Sequence, residues 1–410
     1  MIDEIDRRLD EIRDRGLMRR MRLISGPQGP RVLLDGQPVL LLCSNNYLGL
    51  ADHPRVREAA AEAALRYGAG AGASRLVSGT MRIHRRLEER LTDFEGSEAA
   101  LLFGSGYLAN LGVVSALARE GDVVFSDRLN HASIIDGCRL SRAESFVYDH
   151  RDVDQLAWGL RQAGERGKVI VTDGVFSMDG DVAPLAEIAE LAQRFGALLV
   201  VDEAHGTGTI GPGGRGAAAA AGVEDAVDVT IGTLGKALGS YGAYVCCEKR
   251  MAHYLVNTAR PLIFSTALPP PAVGAAMAGL ELLREQPRRV EKLQRNACVL
   301  REALRAEGIL APGEDTPIVP LVVGSPEAAV SAAEAALAEG VFAQAIRPPT
   351  VPDGTSRLRL AVMASHTKSE LREAARTLAT AVPRVPVAPR PARPARAARA
   401  GIFDHLSDAA

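Results

Sequence analysis

The sequence has few cysteines, no long apolar run and no excess of charge of either sign. Its five cysteines are odd in number and form no Cys-x-x-Cys pair, which argues against a disulfide framework and favours a reducing cytoplasm. No apolar stretch approaches the roughly 18–20 residues of a membrane span, and the N-terminus lacks a secretory signal. The formal net charge of -2 disfavours nucleic-acid binding through a strongly basic surface. We therefore expect neither a membrane nor a nucleic-acid partner.

Motifs of several other protein classes are absent or misplaced. The eight histidines show no His-x-x-x-His or His-Glu-x-x-His spacing, so no metal site is predicted, and no Gly-x-Ser-x-Gly motif of a serine hydrolase occurs. Gly211–Gly216 fits Gly-x-Gly-x-x-Gly but does not follow the first strand of a β-α-β unit, so we interpret it as a loop rather than a nicotinamide site. Residues 202–205 spell the DEAH of helicases, yet the nearest candidate phosphate loop, 232–237, has the wrong glycine spacing.

The order of the predicted elements indicates an α/β fold. Helical stretches, such as 106–118, 131–142, 152–164 and 184–195, alternate with short β-rich runs at 123–126, 145–148, 168–172, 197–202, 227–232 and 243–247. This alternation predicts a mostly parallel central sheet flanked by helices. Ligands of such sheets lie beyond the carboxyl ends of the strands.

We divide the chain into four predicted parts. An N-terminal helix and arm (1–45) contains an amphipathic pattern within residues 2–22, and a large α/β domain (46–265) follows. A smaller C-terminal α+β domain (266–382) begins with a helical region at about 271–307 and continues with strands at 318–323, 341–346 and 357–362 and helices at 326–339 and 369–381. The Pro-, Ala- and Arg-rich segment 383–410 is expected to be a disordered tail.

Polar residues follow two neighbouring strands of the predicted sheet. Asp202 and His205 come at the end of one strand, and Thr233 and Lys236 come after the next. A lysine in a glycine-rich turn can form a Schiff base with an aldehyde, and a carboxylate facing a pyridinium nitrogen is its expected companion. The pattern therefore indicates pyridoxal 5'-phosphate (PLP) as the cofactor.

The chain resembles the α-oxoamine synthases, a family of fold-type I PLP-dependent transferases. The resemblance spans most of residues 44–360 in the family's order. The matching stretches are SNNYLGL (44–50), GAGASRLVSGTMRIHRRLE (70–88), GSGYLAN (104–110), SDRLNHASIIDG (126–137), DGVFSMDGDVAPL (173–185), VDEAHGTGTIGPGGRG (201–216), TLGKALGSYGAY (233–244), IFSTALPP (263–270) and RPPTVPDGTSRLRL (347–360).

The resemblance implies a role for each residue around the cofactor ring. Lys236 would hold PLP as a Schiff base and would also act as the base of the reaction. Asp202 would keep the pyridine nitrogen protonated. His205 would hydrogen-bond the phenolic oxygen, His131 would stack on the ring face, and Ser177 would help to position the ring.

The family also implies how the phosphate is held. The backbone N–H groups of Gly106 and Tyr107, at a helix start, would cradle it, and Thr233 would add a hydroxyl. Thr266 would reach the phosphate of the neighbouring subunit's cofactor, which implies a homodimer with shared active sites.

The resemblance also implies which residues bind the carboxylate of the amino-acid substrate. Arg359 would bind the amino-acid carboxylate with help from Asn45, and Thr350 is assigned to substrate binding by the same resemblance. Arg357 is a competitor, because strand alternation sends it to the same face as Arg359.

By the same resemblance, the N-terminal arm would bind the acyl substrate. Arg20 aligns best with the position that meets the acyl-chain carboxylate, and Arg19 and Arg22 are alternatives.

The activity implied is the decarboxylative condensation of an amino acid with an acyl thioester. TLGKALGSYGAYV and RPLIFSTALPP favour the biotin-pathway member, which joins L-alanine to pimeloyl-CoA or a pimeloyl-carrier protein and releases CO2. Glycine C-acetyltransferase or another α-oxoamine synthase remains an alternative, because these enzymes share all the catalytic and cofactor-binding residues named above. A nicotinamide-dependent oxidoreductase and a non-catalytic regulator are the rivals from other classes.

Overall fold

The structure is a computed structural model that describes residues 2–383. The predicted tail at 383–410 therefore lies outside the described residues, apart from its first residue. Within the described range, no helix is long and apolar enough to cross a membrane.

The N-terminal elements precede the main sheet. In chain order they are α1 (Ile2–Asp14), β1 (Ile24–Ser25), β2 (Arg31–Leu34), β3 (Gln37–Leu41), α2 (Pro54–Tyr67), a π-helical turn (Arg75–Gly79) and α3 (Arg82–Glu95). The helix predicted within residues 2–22 was too long. It ends at Asp14 because Gly16 adopts a left-handed φ of 64° and Leu17 N–H donates to the Ile12 carbonyl, which closes the helix.

A seven-stranded sheet forms the centre of the fold, in the order β4-β10-β9-β8-β7-β5-β6. The five strands from β9 to β6 are parallel, and β10 is antiparallel to both of its neighbours. In chain order the elements are β4 (Ala99–Phe103), α4 (Gly106–Leu117), β5 (Val123–Asp127), α5 (Ala132–Ser141), β6 (Glu144–Tyr148), α6 (Val153–Gln162), β7 (Lys168–Asp173), α7 (Leu185–Phe195), β8 (Leu198–Asp202), α8 (Ala217–Ala221), β9 (Val229–Thr233), β10 (Ala243–Cys247), α9 (Lys249–Thr258) and α10 (Arg260–Ile263).

The predicted mostly parallel α/β sheet is confirmed. All six strands expected in this region are present, whereas β4 had not been predicted as a strand. The central strands are apolar on both faces because helices cover both. Side chains of α4, α5 and α9 pack on one face with Val124 and Val200, and those of α3, α6, α7 and the later helix 270–285 pack on the other with Phe125 and Leu199.

The C-terminal elements form a smaller α+β unit, as predicted. They are α11 (Pro270–Glu285), α12 (Arg288–Ala306), β11 (Ile318–Gly324), α13 (Pro326–Ala338), β12 (Val341–Phe342), β13 (Gln344–Ile346), β14 (Ser356–Ala361) and α14 (Lys368–Ala381). The helical region expected at 271–307 is two helices, because Pro287 disfavours helical geometry at Gln286, whose φ is -126°. The strand expected at 341–346 is also two strands, which join different sheets: β12 pairs with β3, and β13 with β14.

The N-terminal arm packs with the C-terminal unit. Strand β3 runs parallel to β12, and Leu40 and Leu42 lie in the same core as α12, α13 and α14. Helix α11, in contrast, packs in the core of the large sheet. These contacts place the segment after β3, which begins the SNNYLGL motif, between the two units. The exact domain boundaries stay a prediction.

The loop after β8 folds around a buried carboxylate. The Glu203 side chain accepts hydrogen bonds from the backbone N–H groups of Ala217 and Ala218 at 2.9 and 2.8 Å. A Cβ at Gly206 would lie 1.8 Å from Glu203 Oε2, so only glycine fits there. This packing fixes the backbone on either side of His205. The last residues of β7, β8 and β9 are Asp173, Asp202 and Thr233, and these strand ends define the site described next.

Candidate active site

A lysine amine and a neutral histidine lie in contact at the edge of the sheet. Lys236 is in the turn after β9, and its Nζ is 2.7 Å from His205 Nε2. Burial lowers the pKa of Lys236 to about 8, although the carboxylate of Asp202 favours the charged amine. Burial and the charges of Lys236 and Arg359 hold the pKa of His205 well below its usual range. The structure thus brings together an amine that is readily deprotonated and an uncharged imidazole.

Asp202 is held by two hydrogen bonds at the end of β8. Its Oδ1 accepts from the Ala204 backbone N–H at 2.7 Å, and its Oδ2 accepts from Asn110 Nδ2 at 2.5 Å. The Asn110 amide also donates to Ser133 Oγ at 3.0 Å. Only 3% of Asp202 is exposed, so these donors compensate the burial of its carboxylate.

A second buried carboxylate lies beside the first. Asp173 and Asp202 are partners in the register of β7 and β8. Burial and the charge of Asp202 raise the pKa of Asp173 well above its usual range. The Asp173 Oδ2 accepts a hydrogen bond from the His131 backbone N–H at 2.7 Å. The surroundings of Asp173 thus favour its protonated form, and its carboxyl group also anchors the loop that carries His131.

His131 caps the start of α5 and is exposed to solvent. Its Nδ1 lies 2.7 Å from Ser133 Oγ and accepts from the Ser133 backbone N–H at 3.3 Å. The cap orients the imidazole at the rim of the site, which is compatible with the predicted stacking on a planar ring.

The predicted phosphate cradle is the start of α4. Ser105 caps this helix by accepting from the Leu108 N–H at 3.2 Å. The N–H groups of Gly106 and Tyr107 bond to no other described residue and are available to an anion. The Thr233 hydroxyl donates to the Gly242 carbonyl at 3.1 Å and accepts from the Gly235 N–H at 3.2 Å. The Tyr107 hydroxyl donates to Asp136.

The two candidate arginines of β14 differ in their partners. Arg359 donates from Nε to the Ser177 carbonyl and from Nη1 to Asn45 Oδ1 at 3.1 Å. Arg357 forms an ion pair with Asp179 at 2.7 Å, so its charge is already neutralised. Arg359 has no carboxylate partner in the described part of the chain. A bound carboxylate would supply one, which favours Arg359 for that role.

Tyr47 connects Arg359 to the lysine. Its hydroxyl is 2.7 Å from His205 Nδ1, 3.1 Å from Asn45 Oδ1 and 3.2 Å from Arg359 Nη2. The side chain is fully buried. A continuous set of hydrogen bonds therefore joins the candidate carboxylate-binding arginine to the candidate base.

Three predicted residues lie outside this cluster. Thr266 is exposed and forms a backbone bridge with Ser74. Thr350 is exposed in the turn after β13. Arg20 is also exposed, with its Nη2 3.9 Å from Asp35 Oδ2. Their functional roles stay predictions.

The sequence analysis missed three residues of the cluster. Asp173 ends a buried strand as Asp202 does, and that parallel could have identified it. Tyr47 lies in the SNNYLGL motif and Asn110 in GSGYLAN, so the motifs contained both residues but did not indicate their partners.

Comparisons with known proteins decide the family. The family model "Aminotransferase class I and II" matches residues 37–378. The chain belongs to the aminotransferase class I and II family. Among curated relatives of this family member, the 8-amino-7-oxononanoate synthase of Citrifermentans bemidjiense is 54% identical over 370 residues, covering 90% of this chain and 95% of the relative. The corresponding synthase of Geobacter metallireducens is 53% identical over 374 residues, covering 90% and 96%.

Solved structures of the family agree with the fold. A serine palmitoyltransferase from S. paucimobilis superposes with a TM-score of 0.88 at 34% identity, covering 92% of this chain and 96% of that one. The 8-amino-7-oxononanoate synthase of Francisella tularensis superposes with a TM-score of 0.73 at 28% identity, covering 83% and 97%. These findings confirm the predicted fold-type I transferase and the resemblance to the α-oxoamine synthases.

The donor set of this family member fits PLP. A partly buried lysine with a lowered pKa could bind the aldehyde, a buried carboxylate could face the ring nitrogen, and the start of α4 offers unused N–H groups to the phosphate. A Cβ built on Gly106 meets no atom within 4 Å, so the approach to this helix end is open.

The two strand-end aspartates should respond differently to amide substitution. Asp202→Asn removes the charge expected to stabilise a pyridinium, and we expect the Kd for PLP to rise at least tenfold, about 1.4 kcal/mol. Asp173→Asn mimics the protonated state and keeps an acceptor for the His131 N–H, so the Kd should change less than about threefold. Absorbance titration of the apoproteins with PLP measures both. Equal losses in the two variants would contradict this assignment.

Proposed function

We propose that the chain condenses L-alanine with a pimeloyl thioester, pimeloyl-CoA or pimeloyl-carrier protein, to give 8-amino-7-oxononanoate, the free thiol and CO2 in biotin biosynthesis. Relatives that are 54% and 53% identical carry the name of this synthase. The observation that carries the proposal is the set Lys236, Asp202, His205 and Arg359, which the fold brings to one edge of the sheet.

The cofactor of this reaction is PLP. Lys236, Asp202, His205, His131 and Ser177 would hold its ring. When bound, PLP supplies an electron sink that stabilises negative charge at the α-carbon of the amino acid.

The phosphate would be held by the N–H groups of Gly106 and Tyr107 and by the hydroxyl of Thr233, which would turn from the Gly242 carbonyl to donate to it. All three lie at the carboxyl edge of the sheet, after β4 or at the end of β9.

Arg359 and Asn45 would bind the carboxylate of alanine. Arg359 is 6% exposed, and in the described chain it has hydrogen-bond acceptors around it but no anion. A bidentate pair with a carboxylate fixes the orientation of the amino acid and so of its Cα–H bond. The same carboxylate later leaves as CO2.

Lys236 would remove the α-proton. A pKa of about 8 leaves a substantial neutral fraction of this amine near neutral pH, which an ordinary lysine does not have. His205 lies 2.7 Å from the amine and has a lowered pKa, so it adds no competing positive charge. One lysine that acts first as anchor and then as base explains why the cluster needs no separate catalytic dyad.

The acyl donor would approach from the N-terminal arm. Arg347 donates from Nη2 to the Met18 carbonyl at 3.0 Å and also bonds to the Gly16 carbonyl, which ties the arm to the turn that contains Thr350. Arg20 lies two residues after Met18 and is exposed, so it could meet the distal carboxylate of a pimeloyl chain. Arg19 and Arg22 remain alternatives.

The partner subunit would be a second copy of this chain. Thr266 lies beside an exposed apolar patch formed by Leu76 (53% exposed), Val77 (80%) and Phe264 (70%). The backbone bridge between Thr266 and Ser74 holds the two segments of this patch together. Burying the patch against a second copy would remove apolar surface from water and would direct Thr266 toward the partner.

A substrate panel tests the proposed reaction. The PLP-loaded protein is assayed for CO2 and free thiol with alanine or glycine, each with pimeloyl-CoA or acetyl-CoA. We expect alanine with pimeloyl-CoA to give the highest kcat/KM, and Lys236→Ala to lower it at least 10³-fold because it removes both anchor and base. Lys292→Ala, an exposed lysine on α12, is the control. Preference for glycine and acetyl-CoA would instead indicate glycine C-acetyltransferase.

Shared active sites predict complementation between two inactive variants. Lys236→Ala removes the amine, and Thr266→Asp places a negative charge where the partner's phosphate is expected. A mixed dimer would contain one site with both native residues, so random co-assembly should restore about a quarter of wild-type activity. Co-expression with two tags, followed by assay and size-exclusion chromatography, measures this. Activity no greater than that of the separate variants would argue against shared sites.

A further inference from the structure

Two loops that carry predicted site residues meet at a histidine outside the site. One loop, residues 127–131, runs from the last residue of β5 to His131. The other, residues 176–182, contains Ser177, whose carbonyl accepts a hydrogen bond from Arg359. His150 lies just after β6, between the two loops. Neither the motifs nor the proposed chemistry uses it.

His150 bridges a carboxylate from each loop. Its Nδ1 is 3.0 Å from Asp127 Oδ1, and its Nε2 is 2.8 Å from Asp181 Oδ2. Its ring and that of Phe176 form a T-shaped pair with ring centroids 4.5 Å apart. Both carboxylates are acceptors when ionised, so an imidazole that bonds to both must carry a proton on each nitrogen.

Both aspartates are also bonded to the backbone of their surroundings, Asp127 through its carboxylate and Asp181 through its main-chain carbonyl. Asp127 accepts from the N–H groups of Leu129 and Arg151, both at 2.8 Å. The backbone of Asp181 closes its own loop, because its carbonyl accepts from the Phe176 N–H at 2.9 Å. A displacement of Asp127 or Asp181 would therefore disturb the loop that carries His131 or the loop that carries Ser177.

The charges around His150 favour its cationic form. Asp127 comes from β5 and Asp181 from the 176–182 loop. Arg151 lies 3.7 Å from Asp181 but pairs more closely with Glu314 at 2.7 Å. Tyr148, at the end of β6, is buried and has a pKa well above its usual range, so it adds no charge.

The balance of these effects sets the protonation state. Burial alone would lower the pKa of His150, but its hydrogen bonds to Asp127 and Asp181 and their charges raise it to about 9. The imidazole is thus cationic at neutral pH and becomes neutral as the pH rises through about 9.

We propose that His150 is a positioning residue that clamps the 127–131 and 176–182 loops, so that Arg359 and His131 are held in the geometry that binds the amino acid. This inference rests on the proposed function, since it concerns the amino-acid carboxylate. Loss of one proton leaves the neutral ring a single N–H, so one carboxylate loses the donor that His150 supplied. The positive charge that offset the repulsion between the two carboxylates is lost as well. The 176–182 loop, and with it the acceptor of Arg359 Nε, then loses one of its restraints, while others, such as the hydrogen bonds of Val182 N–H with Glu314 and of the Thr316 hydroxyl with the Gly180 carbonyl, remain.

The test compares His150→Gln with a matched control. His84 is fully buried, and it is bonded at both nitrogens, to the Met81 N–H and the Leu268 carbonyl. Within residues 2–383 no carboxylate bonds to it. His84→Gln therefore controls for the loss of a buried imidazole. Two quantities are measured from pH 6.5 to 10: the Kd for L-alanine, read from the absorbance of the PLP-loaded proteins, and the Tm.

We expect the Kd of His150→Gln at pH 7.5 to be about tenfold that of the wild type. The ratio of the two values should fall toward one above about pH 9, because the wild-type clamp is then lost. His84→Gln should follow the wild-type pH dependence. The pKa of His150 is higher in the folded protein than in the unfolded chain. The clamp therefore contributes its full stabilisation of the folded state below about pH 6.5 and loses it as the pH rises through about 9. The Tm difference between wild type and His150→Gln should shrink accordingly.

A pH-independent ratio of the Kd values, or wild-type binding by His150→Gln, would overturn the proposal. If His150→Gln does not fold, Asp181→Asn serves instead. This variant keeps a hydrogen-bond acceptor for His150 but removes one of the two carboxylate charges that stabilise the protonated imidazole. If wild type shows no absorbance response to alanine or glycine, the proposed function fails, and the pH dependence of the Tm difference alone decides whether the clamp exists.

Discussion

The account depends on the electrostatic setting of the Lys236 amine. Burial disfavours the ammonium, whereas Asp202 favours it, and the balance leaves a pKa of about 8. His205 contacts the amine, and burial and the nearby charges favour its neutral form by lowering its pKa. Burial and the charge of Asp202 raise the pKa of Asp173 and so favour its protonated form. A lysine in this setting can bind an aldehyde and later accept a proton near neutral pH. A lysine of ordinary pKa could do neither efficiently.

The fold creates the surroundings of Lys236 by packing the large α/β unit and the small C-terminal unit on either side of the SNNYLGL motif. The large sheet brings the ends of β7, β8 and β9 together, and the small unit contributes Arg359 from β14. Tyr47, in the segment between the units, touches both sides through His205 and Arg359. Hydrogen bonds therefore connect Arg359, the proposed carboxylate-binding residue, to Lys236, the proposed base, and the His150 clamp holds the loop that supplies one of the acceptors of Arg359.

The sequence predicted the parts of the site that follow from local pattern. The alternation of β-rich and helical runs located the strands, and hence the polar strand ends, within two residues. It could not separate Arg357 from Arg359, because both lie on one face and only the tertiary partner Asp179 distinguishes them. Asn110, Tyr47 and His150 were missed for the same reason: their partners are distant in the sequence, so spacing carries no signal. The early end of α1 depended on a left-handed glycine rather than on apolar periodicity.

The most direct test is the pH dependence of cofactor attachment to Lys236. Apoprotein is mixed with PLP at pH 6 to 10 and quenched after short times into borohydride at one fixed pH, and the reduced peptide is quantified by mass spectrometry. The account predicts that label is found on Lys236 and that its initial rate rises with a midpoint near pH 8, as the neutral amine is the nucleophile. Label on another lysine, or a midpoint near the ordinary lysine value of 10.5, would contradict it.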